Sequence, residues 1–79
     1  MTNAQPDYRL LATRARAALT PDFRGGEIDL GWTNLRVRFA NGTHIARGAG
    51  IVATCTVSAG QAVQAWARKA EDRAAEAKP

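Results

Sequence analysis

The sequence predicts an α+β domain in the order helix, antiparallel sheet, helix, and three observations carry that prediction. Apolar residues recur at three- and four-residue steps near both ends of the chain. Between them, Leu35–Val57 alternates apolar and polar positions around an Asn41-Gly42 pair, which is a strong hairpin signal. Ser58-Ala-Gly-Gln61 then reads as a capping box that opens the second helix. The sheet is expected to have three main strands, or four if Glu27–Trp32 is a strand of its own.

The first helix is expected over about Pro6 to Leu19. Pro6 suits a helix start, and Asp7 in the first turn complements the helix dipole. Tyr8, Leu11, Ala12, Ala15, Ala18 and Leu19 form its apolar stripe. Arg9, Thr13, Arg16 and Thr20 form the wet face, Arg14 flanks it, and Leu10 falls off the stripe. Thr20-Pro21-Asp22 ends the helix, because a residue before proline is pushed out of helical geometry. Phe23 is expected to tuck under the Gly25-Gly26 bend. Glu27–Trp32 alternates, with Ile28, Leu30 and Trp32 on one side. The alternation then changes parity at Leu35, so Thr33 and Asn34 must absorb an odd shift. A bulge in one bent strand is preferred to a tight turn.

The hairpin register at Asn41-Gly42 has two solutions. A two-residue turn pairs Phe39 with His44 and Val37 with Ala46, leaving Arg36, Arg38, Ile45 and Arg47 on the other face. A three-residue loop with a glycine bulge pairs Val37 with Ile45 and keeps the large apolar residues together. The bulged register is preferred for that reason. It points Arg36 and Arg38 outward beside His44 and sets Arg47 opposite Leu35. Gly48-Ala49-Gly50 makes the next turn, and Ile51–Val57 the third strand. The second helix is expected from about Ala59 to Ala77, with Ala59, Ala62, Val63, Trp66, Ala67, Ala70 and Ala74 as its stripe. Its last two turns are Ala and charge only.

Seventy-nine residues make one domain, 1–79, with residues 1–5 and 75–79 expected to fray. Seventeen of the 36 hydrophobic residues are alanine, so only 19 large apolar side chains are available for a core. So thin a core favours support from a second copy, and a homodimer through Leu10 or an uncovered sheet face or edge fits. The single cysteine, Cys55, excludes an internal disulfide and reads as a small buried hydrophobe. No basic-then-apolar leader and no long apolar run is present, so a soluble cytoplasmic protein of a bacterial host is expected, with no membrane contact.

No catalytic constellation is visible, and a non-enzymatic protein is expected. One histidine and one cysteine at no ligand spacing give no zinc site, and no cofactor motif appears. Glu27 and Asp29, two apart on one strand face, are the nearest approach to an acid–base pair. Charge is more informative. The net charge is +4, and from Leu30 to Ala70 there is no Asp or Glu, whereas Arg36, Arg38, Arg47, Arg68 and Lys69 all lie there. Two guanidiniums on alternate strand positions stand about 7 Å apart, which suits a pair of carboxylates or successive phosphates. The candidate partner-binding residues are therefore Arg36, Arg38, Arg47 and His44, extended by Arg68 and Lys69. The expected partner is an acidic protein surface or nucleic acid. Phe39 and both tryptophans are expected inside, which leaves no stacking platform for single strands.

In size and layout the chain resembles the small anti-CRISPR proteins of phages and mobile elements. The Pro6–Leu19 helix, the Leu35–Val57 hairpin unit and the Ser58-capped helix carry that resemblance. It implies an inhibitor that docks on a Cas effector subunit of a type I complex and blocks target-DNA recruitment. The positive charge argues against DNA mimicry and toward arginines gripping an acidic Cas surface. The alternative expectation is a small nucleic-acid-binding module making non-specific phosphate contacts through the same arginines.

Overall fold

The computed structural model describes residues 7–31 and 33–76. Helix α1 (Tyr8–Ala17) is followed by β1 (Gly26–Asp29), β2 (Asn34–Ala40), β3 (Thr43–Gly48), β4 (Ile51–Cys55) and helix α2 (Ala59–Glu76). The four strands form one antiparallel sheet in the order β1-β2-β3-β4, each paired with its neighbour in sequence. The fold is a small α+β domain, helix–sheet–helix, with a four-stranded meander.

Each helix begins on a side-chain cap. Asp7 Oδ1 accepts from Leu10 N at 3.1 Å, and Ser58 Oγ accepts from Gln61 N at 3.1 Å. These bonds satisfy amide groups that the first helical turn leaves unpaired. Residues 75 and 76, expected to fray, are helical. The expected start at Pro6, the fraying of residues 1–5, the facing of Trp32 and the extension of α2 to Ala77 fall outside the described residues.

Two expectations about the sheet are corrected. β1 and β2 are two antiparallel strands, not one strand with a bulge: Ile28 pairs with Leu35 and Asp29 with Asn34, and Leu30 N donates to the Thr33 carbonyl at 2.9 Å. Asp29 Oδ1 accepts from Gly31 N at 2.8 Å, and Gly31 lies at φ 108, a region that favours glycine. That local geometry reverses the chain. The β2–β3 hairpin takes the two-residue turn, with Phe39 opposite His44 and Val37 opposite Ala46. Asn41 (φ 53) and Gly42 (φ 76) both adopt the left-handed conformation that matches the twist of the flanking strands. Turn geometry outweighed the gain from placing Ile45 inside, and Ala46 takes the core position instead.

The core lies between one sheet face and α2, where Leu35, Val37, Ala46, Ile51 and Ala53 meet Ala59, Ala62, Val63, Trp66, Ala67 and Ala70. The sheet packs principally on α2. Helix α1 packs principally on α2, burying Leu11, Ala12 and Ala15, and Leu10 is half-buried. Alanine on both helices permits close approach, which makes a helical layer from a sequence poor in large side chains. Arg16 is corrected too: it leaves the wet face to make a bidentate pair with Glu71 and to donate from Nε to Gln64 Oε1 at 3.3 Å. The indole N–H of Trp66 reaches the carbonyls of Gly48 and Ile51, each at 3.2 Å, and so fixes α2 to the β3–β4 turn.

Candidate binding face of the sheet

Because the helical layer lies on one side, alternation along the strands leaves the opposite sheet face open. Two cross-strand rows are set out on it. Glu27, Arg36, Arg47 and Val52 lie in line across all four strands, and Arg38, Ile45 and Thr54 lie in line across β2, β3 and β4. All are exposed except Ile45, which is half-buried.

Arg36 stands between charges of opposite sign. On one side, its Nε and Nη2 donate to Glu27 Oε2 at 3.2 and 2.8 Å. On the other side is Arg47, its direct partner across the β2–β3 ladder. Arg38 is two residues along β2 and diagonal to Arg47. Neither Arg38 nor Arg47 has an ion pair among the described residues. The acid-free run from Leu30 to Ala70 is therefore not an acid-free face, since β1 folds Glu27 back beside Arg36.

The six sequence-predicted residues divide by position. Arg36, Arg38 and Arg47 share the open face, as the two-residue turn requires. His44 is on the helix side of the sheet, half-buried and tilted against Phe39, with ring centroids 4.7 Å apart. Its Nδ1 is buried and has no hydrogen-bond partner among the described residues. Lys69 lies at the β4 edge, where its Nζ donates to the Val52 carbonyl at 2.9 Å. It also lines a shallow groove of about 230 Å³ with Ile51, Val52, Asp72, Arg73 and Glu76. Arg68 is exposed on α2. With Arg16 as the main cause, it helps hold the Glu71 carboxyl below the usual glutamate range.

Phe39 is 62% exposed, where the sequence suggested burial. It shares the helix side with Val37 but lies beyond the area that α2 covers. It therefore offers no aromatic surface beside the arginines. Cys55 is half-buried, and Val57 lies past the end of β4 with 76% exposure.

The carboxylates that sequence spacing singled out are already engaged, Glu27 by Arg36 and Asp29 by the Gly31 amide. Among the described residues, no group of three or more His, Cys, Asp and Glu could hold a metal ion. No helix among them is long and apolar enough to cross a membrane. Val52, Thr54 and Glu27 belong to the open face although none was named with the arginines, and Ile45 lies there as the two-residue register required. The signal for Ile45 was its two-residue spacing from Arg47, which puts both side chains on one face of β3.

No protein-family model, curated protein sequence or solved structure matches this chain.

Proposed function

We propose that this chain is a small non-enzymatic binding protein that docks an acidic protein surface on its open sheet face. The observation that carries the proposal is the direct opposition of Arg36 and Arg47, with Arg38 diagonal to Arg47. Like charges facing each other across a ladder destabilise a sheet. An acidic partner converts that unfavourable arrangement into a binding one. The arginines adjoin Ile45, Val52 and Thr54, so the face joins apolar area with guanidinium groups, as protein interfaces do. Nucleic acid would use the same arginines on phosphates. The position of Phe39 on the other side, away from any base that the arginines could hold, favours protein.

Combined with the resemblance to anti-CRISPR proteins, this reading makes the partner a subunit of a type I Cas effector complex and the consequence a block on target-DNA recruitment. The test is retention of labelled target duplex by a purified type I effector complex, with and without the protein. The expected result is lower retention with the parent protein and normal retention with Arg36→Ala, Arg38→Ala and Arg47→Ala combined. The protein shifting free duplex at about 50 mM salt and losing it by about 200 mM would move the function to phosphate contact. No effect on retention and no shift of duplex would overturn both readings.

A further inference from the structure

We infer that Arg38 and Arg47 form the primary anion-recognition pair of the open face, that the pair takes carboxylates on alternate residues of an extended acidic peptide segment, and that Glu27 is a built-in competitor occupying Arg36 until that segment arrives. The inference rests on the docking reading above and names the chemistry of the docked group.

The two sides of Arg36 are not equivalent. Its Nε and Nη2 both converge on the single oxygen Glu27 Oε2, and the paired side chains are 70% and 50% exposed. So exposed an ion pair is weakly held, and another carboxylate can replace it. Arg47 faces Arg36 directly, with Val52 as its neighbour on β4 and therefore no acid on either adjoining strand. Arg38 faces Ile45, beyond which lies Thr54. Among the described residues, neither Arg38 nor Arg47 has a side-chain hydrogen bond or an ion pair to compete with a ligand.

Diagonal positions on a sheet face lie about 7–8 Å apart. Each guanidinium is a planar fork suited to a carboxylate. Two forks at that separation match carboxylates on alternate residues of an extended peptide, which repeat about every 7 Å. Ile45 and Thr54 beside them present no opposing charge to such a segment. Glu27 is the one carboxylate engaged with this arginine group among the described residues, and it shows the contact that a partner would extend.

The test uses the full chain with an octaglutamate peptide as the probe, followed by NMR of the arginine Nε–Hε groups. The expected result is saturable movement of the Arg38 and Arg47 signals, with Arg36 following at higher peptide concentration. Glu27→Gln should tighten binding about twofold to fivefold, the range that loss of an exposed competing ion pair allows. Arg47→Gln should weaken it at least about fivefold while the amide spectrum stays folded. Uniform small movements of every arginine, or a Glu27→Gln variant that binds no tighter, would overturn the inference. So would a random-sequence duplex that moves the Arg38 and Arg47 signals where the peptide does not. The two readings fail separately. Loss of effector inhibition in the arginine variants without peptide binding would leave the docking function standing. Peptide binding at Arg38 and Arg47 by a protein with no effect on the effector would leave the site standing without that function.

Discussion

Arg36 on β2 and Arg47 on β3 stand directly opposite one another, and Glu27 on β1 meets Arg36 from its other side. One cross-strand row thus reads acid, base, base across three strands. Opposed like charges lower sheet stability, whereas threonine suits an exposed strand position. Arg47→Thr should therefore stabilise the fold by about 0.2–1 kcal/mol while weakening capture of an acidic partner. Urea denaturation against the parent checks the first effect, and a stability loss would show that Arg47 supports the sheet instead.

The two hairpin turns on β3 use the same geometry with different residues. Asn41 and Gly42 have φ 53 and 76, whereas Ala49 and Gly50 have φ 52 and 77. Alanine is poorly suited to the left-handed region, and asparagine tolerates it. Ala49→Asn should raise stability by about 0.5–1 kcal/mol, read as a shift in the thermal midpoint. Gly48→Ala should do the reverse. A Cβ there would lie 2.9 Å from the Asn34 carbonyl oxygen and 3.2 Å from the Leu35 Cα, both backbone atoms that cannot turn aside. Overpacking of this kind costs about 1–3 kcal/mol.

The fold class was legible because helical periodicity, the Asn41-Gly42 pair and the Ser58 cap are local signals. The faces were legible only where one solution existed. Leu35 and Val37 had to point inward in either hairpin register, so Arg36 and Arg38 had to point out. Arg47 and His44 changed sides with the choice of turn. A preference for burying Ile45 chose against the geometry that Asn-Gly itself favours. The pairing of Arg36 with Glu27 depended on whether the chain reverses between β1 and β2, a nonlocal consequence of the Asp29–Gly31 contact. Arg16 was read as solvated because its partners, Gln64 and Glu71, lie about fifty residues away on α2.

Lys69 has a structural occupation at the edge of the sheet. Among the described residues, strand β4 pairs with β3 on one side only, and the Val52 carbonyl on the other side is capped by the Lys69 ammonium at 2.9 Å. A lysine at an edge opposes addition of another strand, both by occupying the carbonyl and by carrying charge. Lys69→Met should expose that edge beside Val52, which is already 41% exposed. The expected result is a concentration-dependent shift to larger species in sedimentation velocity, with the monomer fold retained. Unchanged sedimentation would mean that the β4 edge is protected by other means.

The link between the helices should give stability a pH dependence of definite sign. Arg16 holds the Glu71 carboxyl below its ordinary range through a side-chain hydrogen bond, assisted by its charge and by those of Arg9 and Arg68, against the opposing effect of burial. The same hydrogen bond raises the Arg16 guanidinium above its ordinary value, so Arg16 remains charged throughout the accessible range. A carboxyl with a depressed folded pKa stabilises fully above its unfolded value, near about 4.3, and loses that contribution as pH falls through the lower folded value. Glu71→Gln should therefore be less stable than the parent at neutral pH, and the difference should shrink as pH falls through the acid range. Both side chains are substantially exposed, so added salt should narrow the neutral-pH difference as well. Urea midpoints of both proteins, measured from pH 7 downward at low and high salt, check the sign. A gap between them that widened toward low pH would show that Glu71 carries a raised pKa and that the Arg16 contact does not govern its ionisation.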